Sequence, residues 1–173
     1  MVAGTKARRK TEPVALDRVD RRLLLALSRD GRQAAATLAK DLGLSRQAVA
    51  ERIRELERKG VIRGYRADID PRALGLVVRA VIRMSLEGAA SIEKGKEVKR
   101  RLVANPMVRS VHHVSGEDCI VAEVICRSIE DVNAILDDVK STRALQSSRT
   151  SFILETVLDK PGLGPLEPEL IPE

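Results

Sequence analysis

The chain has 173 residues, of which 31 are Lys or Arg and 25 Asp or Glu, with one Tyr, one Phe and no Trp. Its core must come from Val, Ile, Leu and Ala, in one domain or two small ones; Tyr65 and Phe152 cannot make the stacking platform that single-stranded nucleic acid needs. The net charge of +6 is uneven, with 18 basic against 10 acidic residues up to Gly75 and 13 against 15 beyond it, so the basic half is either a polyanion partner or a solvated Arg-rich surface.

Residues 1–15 carry Lys6, Arg8, Arg9 and Lys10 with little that can pack, and read as a disordered basic arm. No signal-type apolar region follows, and no apolar run long enough to span a membrane. Cys119 and Cys126 lie in one predicted strand, roughly 23 Å apart when extended, and cannot pair with each other. These features point to a reducing cytoplasm.

Three helices are predicted next. In the first, Leu16, Val19, Leu23, Leu24 and Leu27 form an amphipathic run that stops at Gly31. The second spans residues 34–42, with Leu38, Ala39 and Leu42 on one face and Gly43 as breaker. The third starts at Ser45, a good N-cap, and ends at Gly60, with Val49, Ile53 and Leu56 spaced i, i+4, i+7. Its other face carries Arg46, Gln47, Ala50 and Arg54, with Arg58 farther along.

A short helix, the turn Gly43-Leu44-Ser45 and a longer amphipathic helix match the helix-turn-helix, whose second helix enters the major groove with its N-terminal residues at the base edges. Arg and Gln suit that place because each can make paired hydrogen bonds to guanine or adenine. The candidate DNA-binding residues are Ser45, Arg46, Gln47, Ala50, Arg52 and Arg54, and the expected partner is double-stranded DNA. This domain is expected over residues 16–62. Residues 63–75 read as a linker strand or a wing ended by Asp70-Pro71, where Arg63 and Arg66 are phosphate contacts or solvated charges.

Residues 76–160 follow a regular plan. Val78, Ala80, Ile82, Met84 and Leu86 alternate with Arg79, Val81, Arg83 and Ser85, as in a half-buried strand. A helix over residues 91–104, with Ile92, Val98 and Leu102, ends before Asn105-Pro106. Strands over residues 108–115 and 119–126 are joined by the tight turn Gly116-Glu117-Asp118. Ser128 and Asp131 cap a helix whose Val132, Ile135, Leu136 and Val139 share a face, and a last strand is predicted over residues 148–158. The order βαββαβ is ferredoxin-like, with both helices on one face of an antiparallel sheet. The fold class is therefore α+β: an N-terminal (winged) helix-turn-helix domain and a C-terminal ferredoxin-like domain. Because residues 119–126 are apolar at most positions of both faces, a second subunit is expected over the free face, and such a homodimer would set two recognition helices on successive major grooves. Residues 161–173, with four prolines, read as an irregular tail, and Gly162 and Gly164 lead to Pro165 rather than to a phosphate-binding helix. No cofactor or metal site is expected; His112 and His113 are adjacent on a strand and face opposite ways.

The runs Leu16-Asp17, Asp20-Arg21, Asp30-Gly31-Arg32, Leu38-Ala39, Leu42-Gly43-Leu44-Ser45, Arg52-Ile53, Leu56-Glu57 and Gly60-Val61-Ile62, followed by the βαββαβ domain, resemble the Lrp/AsnC (feast/famine) regulators over roughly residues 16–159. The resemblance implies a transcription regulator forming dimers, often assembled into octamers, with an amino acid or related metabolite bound at interfaces of the second domain. In that family a Gly-x-x-Asp pattern between the second and third strands marks the effector pocket; the matching run here is Gly116-Glu117-Asp118-Cys119, with a cysteine where the family often has the acid. The implied effector-binding residues are Ser115, Gly116, Glu117, Asp118 and Cys119 on the turn, with Ser148 and Thr150 on the last strand. Asp118 stands one position away, and adjacent strand residues point to opposite faces, so the effector differs from the usual one or is absent. Sirohaem decarboxylases resemble the same architecture and use histidines, which makes an enzyme acting through His112 and His113 the alternative. Such an enzyme would not require the basic face of Arg46, Gln47 and Arg54, and the chain is read as no enzyme.

Overall fold

The computed structural model describes residues 14–87, 92–159 and 164–166, with the backbone alone for Ile92. The arm up to residue 13, the expected helix start at Ser91, the apolar side chain of Ile92 and the tail residues 161–163 and 167–173 lie outside the described residues. The described chain divides into two compact units. One runs to residue 68 and takes in the described residues from 159 onward; the other is residues 69–158.

The first unit holds α1 (Arg18–Arg29), α2 (Ala35–Leu42) and α3 (Arg46–Arg58). Asp17 begins α1 with a capping box: its carboxylate accepts the Asp20 N–H at 2.7 Å, and the Asp20 carboxylate accepts the Asp17 N–H at 3.2 Å, satisfying two donors that a helix start leaves orphaned. Gly43 ends α2 at φ +69°, a left-handed conformation that costs a side-chain-bearing residue strain, and the Leu44 N–H returns to the Ala39 carbonyl at 2.9 Å. The chain is thereby turned into the extended Ser45, whose Oγ accepts the Ala48 N–H at 3.1 Å and caps α3. Leu23, Leu38, Ala39, Val49 and Leu56 form the buried core, with Leu16, Leu24, Leu27, Leu42 and Ile53 packed around it.

The stretch after α3, expected to be a wing or a linker strand, carries no paired strand. The N–H groups of Val61 and Ile62 both fold back onto the Leu56 carbonyl, which joins these two side chains to the helical core. Residues 63–70 have no regular structure and are exposed, and a 3-10 turn, Pro71–Leu74, follows.

The second unit contains β1 (Val78–Leu86), α4 (Ile92–Ala104), β2 (Val108–His113), β3 (Ile120–Cys126), α5 (Ile129–Lys140) and β4 (Leu145–Phe152). The sheet runs β2-β3-β1-β4 with every neighbour antiparallel, as the ferredoxin-like order requires. Ala80, Ile82 and Met84 of β1 and Ile120, Ala122 and Val124 of β3 are buried in one core with Val98 and Leu102 of α4 and Val132, Ile135, Leu136 and Val139 of α5. Both helices therefore cover one face. Arg101 ties them together: its Nη1 donates to Asp138 Oδ1 at 2.8 Å and to Ser141 Oγ at 2.7 Å.

Two strand boundaries differ from expectation. The hairpin between β2 and β3 opens at Val114 and closes at Cys119, so the turn is longer than Gly116-Glu117-Asp118 and Cys119 lies outside the strand. β4 covers residues 145–152 rather than 148–158. It is an edge strand carrying Ser147, Arg149 and Ser151, so it lacks the apolar alternation that marks a strand. Beyond the Ile153 N–H bond to the Arg79 carbonyl, Leu154, Val157 and Leu158 are 95%, 90% and 72% exposed.

Candidate nucleic-acid interface and effector turn

On α3, 100° per residue sends Val49, Ile53 and Leu56 inward and leaves Arg46, Gln47, Ala50 and Arg54 on the outer arc. Arg46, Gln47 and Arg54 are exposed and Ala50 is half-buried. Arg46 makes no ion pair with another described residue. Ser45 spends its oxygen lone pair on the cap, and its hydroxyl proton remains free to donate. Arg54 is paired with Glu51, and Arg58 grips Glu55 through two bonds of 2.6 and 2.7 Å. The Arg58 guanidinium, helped by Lys59, holds the Glu55 carboxyl down to about 2. Pairs of this kind in water are weak, so a phosphate can take either arginine from its carboxylate.

Arg52 does not share that arc. It sits about 120° around the helix from Arg46, beside the packing side. There its Nη1 lies 2.6 Å from Asp17 Oδ2 and 2.8 Å from Asp20 Oδ1. The Asp20 amide and then the Arg52 guanidinium hold the Asp17 carboxyl below its usual value, and the two aspartates raise Arg52 in turn. Arg52 is therefore a clamp from α3 to the N-terminus of α1, off the arc that carries Arg46, Gln47, Ala50 and Arg54; helical phase is the signal for this in the sequence.

The effector residues are less compactly placed. Ser115, Gly116 and Glu117 are exposed, and Asp118 and Cys119 half-buried. The turn is pinned at its base by the Val114 N–H to the Cys119 carbonyl at 3.0 Å and the Cys119 N–H to the Met84 carbonyl at 2.9 Å; Gly116 takes φ +122°, a conformation reserved for glycine. Because Asp118 and Cys119 belong to the turn, strand alternation does not dictate which way they face. Ser148 and Thr150 pair with Met84 and Ile82 on β4. Met84 in turn pairs with Ile120, so Ser148 lies two strand spacings, about 10 Å, from the strand that the turn enters. The turn and Ser148 thus lie at the level of the Met84 row, and Thr150 two residues along β4 at the level of Ile82.

The face of the sheet away from the helices carries a pattern that sequence reading missed. Arg83 lies directly opposite Arg149, and Ser85 and Ser147 share a hydroxyl hydrogen bond of 2.6 Å beside them. Arg83 was placed on this face by alternation; Arg149 needed the β4 register. His112 and His113 stand opposite Val121 and Ile120, both exposed and on opposite faces.

The description "Lrp/AsnC ligand binding domain" matches residues 79–163, and "Winged helix-turn-helix DNA-binding" matches residues 16–63. The transcriptional regulator AldR of Mycolicibacterium smegmatis is 34% identical over 141 residues, 81% of this chain and 82% of that protein. The chain belongs to the Lrp/AsnC family. It is thus a transcriptional regulator with a helix-turn-helix DNA-binding domain and a ligand-binding domain. The leucine-responsive regulatory protein of Rhizobium meliloti is 30% identical over 84% of this chain and 94% of its own length. Among solved structures, AsnC of E. coli superposes with a TM-score of 0.77 at 28% identity, over 85% of this chain and 97% of that one. A Neisseria meningitidis transcriptional regulator solved as a complex with L-Met does so with a TM-score of 0.78 at 25% identity, over 86% and 96%. These relatives are regulators, which places the chain in a regulatory rather than an enzymatic family. Among the described residues no helix is long and apolar enough to cross a membrane.

Proposed function

We propose that the protein works as a homodimer that reads an operator in double-stranded DNA through Arg46, Gln47, Ala50 and Arg54, assisted by Ser45, and that a small amino-acid-like effector tunes this binding through the turn 115–119 with Ser148 and Thr150. The observation that carries the DNA half is the outer arc of α3. It puts exposed Arg46 and Gln47 in the first turn of a capped helix, where a recognition helix meets base edges. Two-fold assembly is supported by the helix-free sheet face, where the apolar Val81 and Val121 are only half-buried. The Arg79–Glu123 pair at 2.7 Å lowers the charge that an interface there would bury. The effector class is supported by the match to a ligand-binding domain and by the L-Met complex of the Neisseria relative. Acting on DNA, the protein belongs in the cytoplasm.

The test is selection of binding sites from random duplexes. Enrichment of a two-fold site with half-sites about one helical turn apart is expected. Equal binding to all duplexes at several salt concentrations would leave only an electrostatic DNA coater. A panel of amino acids, read by the rise in melting temperature of the protein, tests the effector half.

A further inference from the structure

The first unit has a groove between α1 and α2, on the outer side of its core and away from the outer arc of α3. A cavity of about 260 Å³ lies there. On the α1 side Arg22, Leu25, Ala26 and Arg29 line it at i, i+3, i+4 and i+7; Leu38, Asp41 and Leu42 line it on α2. Its floor is thus apolar, with two guanidinium groups and the one Asp41 carboxylate around it. Arg22 Nη2 donates to the Asp41 carbonyl at 2.8 Å, and Arg29 is exposed with no ion pair to another described residue.

The C-terminal tail reaches the rim of this groove. The Leu166 N–H donates to Ser28 Oγ at 2.9 Å, and Ser28, about 60° around α1 from Leu25, donates its own proton to the Leu25 carbonyl at 2.9 Å. Leu166 is half-buried. The two family matches end at residues 63 and 163, so Leu166 lies outside both matched regions while its partner Ser28 lies within the first. The next residues read Glu167-Pro168-Glu169-Leu170-Ile171-Pro172-Glu173: three carboxylates, no base, and two adjacent aliphatic side chains. Pro168 and Pro172 disfavour a helix, which leaves an extended mode of binding.

We propose that residues 167–173 occupy the α1/α2 groove of their own chain. Leu170 and Ile171 lie against Leu25, Leu38 and Leu42, and the carboxylates pair with Arg22 and Arg29. The reach suffices. From Leu166 to Ile171 an extended chain covers about 16 Å, whereas Ser28 to Arg22 along α1 is about 9 Å. Apolar burial supplies the attraction, charge complementarity sets the position, and tethering at Leu166 holds the segment at a high effective concentration. An occupied groove places acidic charge on the basic, DNA-binding unit.

The experiment compares backbone amide spectra of the full chain and of a chain ended after Leu166. Shifts are expected at Leu25, Ala26, Leu38 and Leu42. The same shifts should follow from the full-length double variant Leu170→Asp, Ile171→Asp, and millimolar synthetic peptide of residues 167–173 should reverse them in the shortened chain. Identical spectra for the full and shortened chains would overturn the proposal, as would shifts confined to residues outside the groove. Neither readout involves DNA, so failure here is separable from failure of the operator-reading assignment.

Discussion

The proposed recognition helix and the proposed effector turn are two ways of assembling a site. α3 carries its functional groups on one element, and everything that positions them lies within the same unit: the Ser45 cap, the left-handed Gly43 and the Arg52 clamp. The turn 115–119 offers exposed groups at the end of a hairpin, and Ser148 and Thr150 stand on an edge strand beyond two strand spacings. A site held on one rigid helix is complete in a single chain, whereas a site spread over a turn and an edge strand waits for a ligand or a second subunit to finish it.

The substitutions that break this comparison hardest act on the support of α3. Leu23 is fully buried beneath the helices, so Leu23→Ala should cost about 2–5 kcal/mol and abolish DNA binding. Denaturation followed on the first unit checks this; a smaller loss would mean that the cavity collapses. Next comes Arg54→Ala. Weakening of operator binding by about 1–3 kcal/mol is expected in a mobility-shift titration, and unchanged affinity would remove Arg54 from the reading arc. Arg52→Ala should behave differently, lowering melting stability by about 1 kcal/mol, given the partial exposure of its pairs, while base preference stays the same.

A pH titration probes the same clamp without mutation. The folded chain holds Asp17 below its usual value, favouring the carboxylate, so this contribution is fully present above the ordinary carboxylate range and is lost as pH falls through the depressed value. The acid side of the stability profile of Arg52→Ala should therefore be flatter than that of the native chain. The smallest effect falls on the turn. If the acid missing at Cys119 limits effector binding, Cys119→Asp should add about 0.4 kcal/mol of stability at an amino-acid concentration equal to the dissociation constant. Thermal melts with and without the amino acid decide it, and no gain for any amino acid would argue that the turn is not a binding element.

Much of this was readable before any coordinates. The Val78 to Leu86 alternation matches β1 residue for residue, the Ser128/Asp131 capping box opens α5, and the Ser45 cap opens α3, because each signal is local and strong. β4 was misplaced for a physical reason: an edge strand with one solvated side needs no apolar period, and the apolar residues after it, Leu154 and Val157, are exposed instead of paired. The clamp role of Arg52 is less legible because its residue type fits DNA as well as it fits two aspartates; its helical phase is what sets it apart from the outer arc. The strand expected after α3 failed because Val61 and Ile62 are absorbed by the helical core.

The most direct test of the central claim is a salt-controlled titration of native protein, Arg46→Ala and Gln47→Ala against the selected operator and against variants changed at single base pairs. Each variant is expected to lose about 1–3 kcal/mol on the operator and to become indifferent to the base at one position per half-site, with the salt dependence of Gln47→Ala unchanged. Native discrimination at every position in both variants would contradict base reading by the outer arc of α3.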